Sequence, residues 1–395
     1  MRFAAACSRV VKTADALQEV VASIRQVFGH EPIDLAVVFV SQHHGADDSL
    51  AKTLQAALGA GHLLGCTAEA VICGAREFES GPAVAVWCAR LPDVPLRSFH
   101  VEFERTPDGL VASGLPMNEE LPFRPEGVIL LGDPFSCATD AVIEMLGEEF
   151  PGLPLLGGMA SGGRGPGSNT LYRDATTMNH GAVGVFLGPG VEIRSIVSQG
   201  CRPVGQPFLV TRAQRNVVQE LGGRTALEQL GSVFSLLEER DQKLLQRGPH
   251  LGIAMNEYQD EFHRGDFLIS NVLGGDRSNG AIAIGHPVRV GQTVQFHVRD
   301  GEPADEDLRT LLAAALKGHA PPEGALLFSC NGRGTHMFPV SDHDAGVVTE
   351  LAGPLPLAGL FAQGELGPVG GKNHIHGFTA SLALFRSLAA EDRPR

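Results

Sequence analysis

At 395 residues the chain exceeds what one hydrophobic core usually fills, so two domains or two closely packed halves are expected. Its apolar fraction of 43% is ordinary for a globular protein, whereas a net charge of −14 argues against a nucleic-acid partner, which needs a basic face. The apolar runs are too short to span a bilayer, and seven cysteines without a CxxC pair fit a reducing cytoplasm.

The first residues, Ala4-Ala5-Ala6-Cys7, faintly resemble a lipoprotein box. The apolar stretch before Cys7 falls short of the roughly 7–15 residues of a signal core, so no export signal is expected. Thr13-Ala14-Asp15 opens a helix with Leu17, Val20, Val21, Ile24 and Phe28 at helical spacing, closed by Gly29. Leu35–Val40 reads as a strand buried on both faces, Asp47–Leu58 as a helix and His62–Thr67 as a strand and turn. Ala83–Ala89 and Leu96–Glu104 are expected to pair as strands.

The same order then recurs. Gly127–Leu131 reads as a buried strand, Thr139–Phe150 as a helix, Leu155–Gly158 as a turn and Ser161–Ser168 as a Gly-rich loop. His180–Leu187 and Val191–Val197 are expected to form a hairpin about Gly188-Pro189-Gly190. The bend Gln199–Pro207 marks the expected junction of the halves. Thr225–Glu228 is a capping box that starts a helical region reaching Gln246. Strands are expected at Phe267–Leu273, Gly280–Ile284 and Gln292–Arg299, then a helix at Asp305–Lys317 and strands at Ala325–Ser329 and Phe378–Phe385.

A repeat runs through these elements. Leu155-Leu156-Gly157-Gly158-Met159-Ala160-Ser161-Gly162 aligns without gaps on Leu357-Ala358-Gly359-Leu360-Phe361-Ala362-Gln363-Gly364. The stretch ending at Cys66-Thr67-Ala68-Glu69 fits the same frame, with Gly65, Gly157 and Gly359 in register. The segment from Leu273 to Ile284 reads as a worn fourth copy. The expected fold is therefore α/β, with mixed sheets built from repeated strand-helix-strand-hairpin units in two pseudo-related halves, 1–200 and 201–395.

The polar residues that could make a site cluster after apolar strands. Ser329-Cys330-Asn331-Gly332-Arg333-Gly334 follows a buried strand, where α/β folds place ligands. Arg333 offers a bidentate fork for a carboxylate, and Glu365 a carboxylate for an ammonium. Asn331 and Asn373 are expected to read the remaining polar atoms, with His374 and His376 beside them. Cys66, Thr67, Gly157, Gly158 and Arg202 lie in turns whose backbone N–H groups can hold an anion or simply pack closely. These loops come from both halves, so the expected site is a cleft between them. A catalytic role for Cys330 would need a base among His336, His374 and His376, and no GxSxG elbow accompanies it. His374-Ile375-His376 with Glu365 lacks a diagnostic metal spacing. No catalytic residue, metal or cofactor is assigned.

At these residues the chain resembles the FIST family, a FIST N segment followed by FIST C. The carrying stretches are LLGCTAEA, LLGGMASGG, SQGCRPVG, FSCNGRG and GELGPVGGKNHIHGFTASLALF. The resemblance covers about Asp34 to Arg386 and makes 1–200 the FIST N-like and 201–395 the FIST C-like half. It implies intracellular sensing of a small-molecule ligand, with an amino acid the family-level suggestion. With no fused output segment expected, the signal would pass to a separate signalling protein, without nucleic acid or membrane. Two other classes stay open: an enzyme using Cys330 or a Glu/His pair in the same cleft, and a protein-interaction scaffold.

Overall fold

A strand as apolar as Leu35–Val40 is stable only if both its faces are covered, and the fold covers three such strands in one way. The computed structural model describes residues 1–45, 47–107, 109–259, 262 and 265–388. The chain forms two compact units. One comprises Met1–Ser198, Leu308–Ile375 and Thr379–Arg395; the other comprises Gln199–Asp307 with His376–Phe378.

In the first unit, one repeat holds β1 (Arg2–Ser8), α1 (Thr13–Phe28), β2 (Ile33–Ser41), α2 (Leu50–Leu58), β3 (Ala60–Ala68), β4 (Val71–Cys73), β5 (Arg76–Phe78) and β6 (Val84–Arg90). The next holds β7 (Leu96–Thr106), β8 (Gly109–Ser113), β9 (Gly127–Gly132), α3 (Thr139–Glu149), β10 (Leu155–Met159), β11 (Leu171–Arg173), β12 (Thr176–Met178) and β13 (Ala182–Leu187).

The third begins at β14 (Val191–Gln199) and is interrupted by the second compact unit. That unit carries β15 (Cys201–Gln214), β16 (Val217–Leu221), β17 (Arg224–Thr225), α4 (Ala226–Leu236), α5 (Glu239–Arg247), β18 (His250–Ala254), β19 (Phe267–Asp276), β20 (Ala281–Ile284) and β21 (Thr293–Arg299). The third repeat resumes with α6 (Gly301–Leu316), β22 (Gly324–Cys330), α7 (His343–Ala352), β23 (Leu357–Ala362), β24 (Glu365–Val369), β25 (Lys372–His376) and β26 (Thr379–Ser387).

Each repeat supplies the centre of one mixed sheet, and the orders are β1-β6-β2-β3-β11-β12, β25-β24-β10-β9-β13-β7-β8 and β14-β26-β22-β23-β4-β5. Every sheet has a parallel strand pair, β2–β3, β9–β10 or β22–β23, flanked by an antiparallel return strand from the same repeat. Every sheet is then completed by a hairpin from another repeat: β4–β5 joins β23, β11–β12 joins β3, and β24–β25 joins β10. The exchange is cyclic. It gives the unit a pseudo-threefold order in which no repeat completes its own sheet.

The alternation of side chains along a strand divides each sheet between two cores. Leu35, Val37 and Phe39 of β2 point into a shared centre with Trp87, Leu131, Val183, Phe328 and Phe385. Ala36, Val38 and Val40 point the other way, under Leu17, Val20 and Ile24 of α1 and Leu50, Leu54 and Leu58 of α2. Helix α3 covers the second sheet through Val142 and Leu146. Helices α6 and α7 cover the third through Leu308, Leu312, Val347 and Val348. At about 1.5–3 kcal/mol for each large apolar side chain removed from water, these layers dominate the stability of the unit.

The second unit folds around one sheet of order β15-β21-β18-β19-β20-β16-β17. Val204, Phe208, Val233, Leu245 and Phe296 fill its core, and Thr225 caps α4 by accepting the Glu228 N–H. The helical region expected from Thr225 to Gln246 is two helices, broken at Leu237-Glu238.

Three expectations are corrected. Leu273 to Ile284 is not a fourth repeat, because Gly274 and Gly275 lie in β19, antiparallel to β20. The expected pair Ala83–Ala89 with Leu96–Glu104 is split, since β6 lies between β1 and β2 whereas β7 pairs with β13 in the next sheet. The hairpin about Gly188-Pro189-Gly190 is likewise a crossing, from β13 in one sheet to β14 in another. A Gly/Pro turn reports that the chain changes direction, not which strand it then joins.

Candidate functional site

The three in-register glycines hold the same place in the three parallel pairs. Gly65 lies opposite Val38, Gly157 opposite Leu130 and Gly359 opposite Leu327. A Cβ there would stand 2.2, 1.9 and 1.8 Å from the carbonyl oxygens of Val38, Leu130 and Leu327. Only glycine permits that approach.

Beyond the glycines the three strands converge and bond to one another. Two residues past each lie Thr67, Met159 and Phe361; four past lie Glu69, Ser161 and Gln363. The Ser161 N–H donates to the Thr67 carbonyl at 3.2 Å, and the Gln363 N–H to the Met159 carbonyl at 3.1 Å. The first and third repeats are joined by the Phe361 N–H donating to the Ala70 carbonyl at 2.9 Å, and also through a side chain. The Glu69 N–H donates to Ser161 Oγ at 2.9 Å, and that hydroxyl donates to the Phe361 carbonyl. Three repeats are thus closed into a ring of hydrogen bonds.

Over this ring sits a bowl of about 430 Å³. Glu69, Ser161 and Gln363 reach it from just past the end of the second strand of each parallel pair, and Gln42, Phe135 and Asn331 from the loops after the first. Asn331 Nδ2 donates to Glu69 Oε2 at 3.4 Å, and Gln42 Nε2 to the Ser168 carbonyl at 3.2 Å. Arg164 enters from the Gly-rich loop, which is an insertion in the second repeat alone. That loop is held by buried Asn169, whose Oδ1 accepts the Gly163 N–H at 2.6 Å and whose Nδ2 donates to Asp133 at 3.0 Å.

The bowl therefore offers a carboxylate, a guanidinium, three amides and one aromatic ring on one concave surface. A larger concavity of about 800 Å³ is lined by Asn118, Leu121–Glu126 and Glu149–Pro154, all from the second repeat and rich in proline.

Of the residues expected at a site, Asn331 lines the bowl and Thr67 lies beneath it. The Thr67 hydroxyl accepts the Thr170 N–H at 2.9 Å. Cys66 is wholly buried in the shared core, where burial pushes its thiol up. Gly157 and Gly158 pack against Leu130 and Ala362. Asn373 ties β25 to β10 by accepting the Leu155 N–H at 2.9 Å and donating to the Leu153 carbonyl at 2.8 Å. His374 is half-buried in β25. Arg202 and His376 belong to the second compact unit, where Arg202 pairs with Asp241 and Asp300.

Arg333 and Glu365 lie inside the protein. Arg333 is fully buried, and its fork engages Asp344 through Nε–Oδ2 at 2.7 Å and Nη2–Oδ1 at 2.8 Å. Ser329 donates to the same carboxylate at 2.6 Å, and the His343 ring approaches it at 2.9 Å. Burial works against the charge on Asp344, yet Arg333 and His343 hold its carboxyl below the ordinary range.

Glu365 accepts from the Thr379 N–H at 3.1 Å and hydroxyl at 2.8 Å. Burial pushes its carboxyl up to about 8, against the hydrogen bonds of Thr379 and of the neighbouring Cys330. At neutral pH it is largely a neutral acid. The carboxylate-binding fork expected of Arg333 is occupied internally, and the ammonium-binding charge expected of Glu365 is suppressed by burial.

The residues that sequence reasoning passed over are Gln42, Glu69, Phe135, Ser161, Arg164 and Gln363. Three of them were legible in principle, because they stand four positions past the repeated glycine.

Comparison with known proteins assigns the family. The FIST N domain matches residues 34–224 and the FIST C domain residues 226–368. An uncharacterized protein of Mycobacterium tuberculosis strain H37Rv is 44% identical over 390 residues, covering 98% of this chain and 100% of the relative. An uncharacterized protein of Mycobacterium bovis strain AF2122/97 is 41% identical over 384 residues, covering 95% and 97%. No helix among the described residues is long and apolar enough to cross a membrane. The chain belongs to the FIST family of sensory domains.

Proposed function

We propose that this protein senses an amino acid or a close analogue in the bowl over the three-repeat ring, and passes the signal to a separate protein partner in the cytoplasm. The observation that carries this reading is the meeting of Glu69 and Arg164 on one concave surface with the amides of Gln42, Asn331 and Gln363. An amino acid has both charges in one small body. Glu69 takes its ammonium and Arg164 its carboxylate, the guanidinium fork matching the two oxygens. The amides read the remaining polar atoms, and Phe135 packs an apolar side chain. On this reading the family modules remain 1–200 and 201–395, and both contribute: Glu69 and Arg164 from the first, Asn331 and Gln363 from the second.

The test is a thermal-shift screen of the purified full chain against the amino acids, their amides and their N-acetyl derivatives. A ligand at 100 times its Kd stabilises by about 2.7 kcal/mol, enough to move the transition. The expected result is a shift that needs both charged ends and is lost in Glu69→Gln and in Arg164→Ala. Both residues are exposed, so neither change removes a core contact. A panel without any shift, or a shift that survives both substitutions, overturns the reading.

A further inference from the structure

A second polar cluster lies outside the lining of the bowl, on the second sheet beside its edge strand β8. His100 and Glu102 are two apart on β7 and so share one face of it. His180 precedes β13, the neighbouring antiparallel strand. Gly181 turns the chain between them at φ +73°, where a Cβ would stand 2.1 Å from the Val101 carbonyl oxygen. This turn brings the His180 ring back over β7.

The ring nitrogens and the Glu102 carboxylate converge. His100 Nδ1 is 3.4 Å and His180 Nε2 3.1 Å from Glu102 Oε1, and all three ligand atoms lie within 4.8 Å of one another. The remaining nitrogens fix the tautomers. His100 Nε2 lies 3.0 Å from the His180 carbonyl oxygen, which can only accept, so Nε2 carries the proton and Nδ1 of the neutral ring presents a lone pair. With Nε2 so engaged, Nδ1 is the nitrogen turned toward the Glu102 oxygen, and a cation can bridge the two. His180 Nδ1 lies 3.2 Å from Asn179 Oδ1, which leaves Nε2 as the ligand nitrogen.

We propose that His100, Glu102 and His180 form a binding site for a divalent transition metal, zinc by its ligand set. Two imidazoles with one carboxylate select zinc-like ions over magnesium or calcium. Bond lengths of about 2.0–2.1 Å place tetrahedral zinc ligands roughly 3.3–3.4 Å apart, close to the two separations seen here. Each imidazole donates its other N–H to an oxygen, as metal-bound histidines do. With Glu102 and His180 about half exposed, a fourth position faces solvent and is open to water or another donor. The metal clamps the turn before β13 onto β7.

The test uses the full chain without an affinity tag, stripped with a chelator and titrated with Zn2+ against a chromophoric competitor. One equivalent of tight binding is expected. His180→Ala should lower the affinity by more than about 100-fold, beyond the upper end of what an outer partner contributes, and Asn179→Ala by roughly 10–100-fold. His180 is exposed, so its variant should keep the thermal transition of the metal-free protein; His100→Gln and Glu102→Gln supply further losses. No stoichiometric uptake, equal binding by native protein and His180→Ala, or a preference for Mg2+ over Zn2+ would each overturn the proposal.

Discussion

The backbone N–H of Glu69 donates to the side-chain oxygen of Ser161 at 2.9 Å, and the same hydroxyl donates to the Phe361 carbonyl, so one side chain ties all three repeats together. At the matching place in the other repeats the link is direct, N–H to carbonyl. Here the Ser161 hydroxyl stands between the Glu69 N–H and the Phe361 carbonyl. Ser161→Ala should therefore strand one donor and one acceptor in a largely buried junction. A loss of roughly 1–3 kcal/mol is expected in urea denaturation. A change within about 0.5 kcal/mol, as at an ordinary surface site, would show that the junction does not depend on the hydroxyl.

The glycines beneath the ring make a sharper case. Adding one methyl group at Gly359 would set it 1.8 Å from the Leu327 carbonyl oxygen, and the parallel pair would have to separate. Gly359→Ala and Gly157→Ala should each cost more than about 3 kcal/mol or prevent folding, since backbone on both sides leaves nothing to yield. Gly147→Ala is the control. It lies within α3 with no atom within 4 Å of the added methyl, so a gain of about 0.5–1 kcal/mol is expected. Soluble yield and denaturation midpoints of the three variants decide it.

The repeat was readable because those glycines answer a backbone constraint, and a constraint on the main chain leaves the same residue at each copy. Helices α1 and α2 were readable for a similar reason: Leu17, Val20 and Ile24, like Leu50, Leu54 and Leu58, follow from burying one face. Strand partners were not. The sequence around Gly188-Pro189-Gly190 shows a turn, but β13 and β14 join different sheets, a choice set by the exchange of hairpins among repeats.

Arg333 and Glu365 were misplaced because a charged residue between glycines reads as an exposed loop. The partner that removes Arg333 from solvent, Asp344, lies in α7 and carries no local signal. Arg164 and Glu69 come together only through the convergence of repeats, which is a property of the fold.

The Arg333–Asp344 pair gives a prediction opposite to the one that an exposed loop arginine implies. Both side chains are buried, so Arg333→Ala leaves an uncompensated carboxylate inside the third repeat. Removing one partner of a buried pair costs about 3–5 kcal/mol. The loss should appear as instability even without any ligand. In Arg333→Ala/Asp344→Ala the penalty should be well below the sum of the two single changes, because the stranded charge is gone. A double-mutant cycle by denaturation measures this directly, and additive penalties would mean that the two groups act independently.

Glu365 makes stability depend on pH in a definite direction. Burial, outweighing the hydrogen bonds from Thr379 and Cys330, raises its carboxyl from an ordinary 4.5 to about 8 in the folded protein. Between those values the folded chain holds a proton that the unfolded chain releases. The stabilisation is thus fully present below about 4.5 and is lost as pH rises through about 8, at up to about 1.4 kcal/mol per pH unit. Glu77, also pushed up to about 8 by burial and then by Asp344, adds a slope of the same sign. Glu365→Gln reproduces the neutral acid and cannot ionise, so it removes only its own share while the Glu77 share remains. The expected outcome is near-equal stability of native protein and variant at pH 5, with the variant increasingly favoured toward pH 8. Denaturation midpoints across that range decide it: a difference that stays constant with pH would mean that Glu365 keeps an ordinary pKa and is charged throughout.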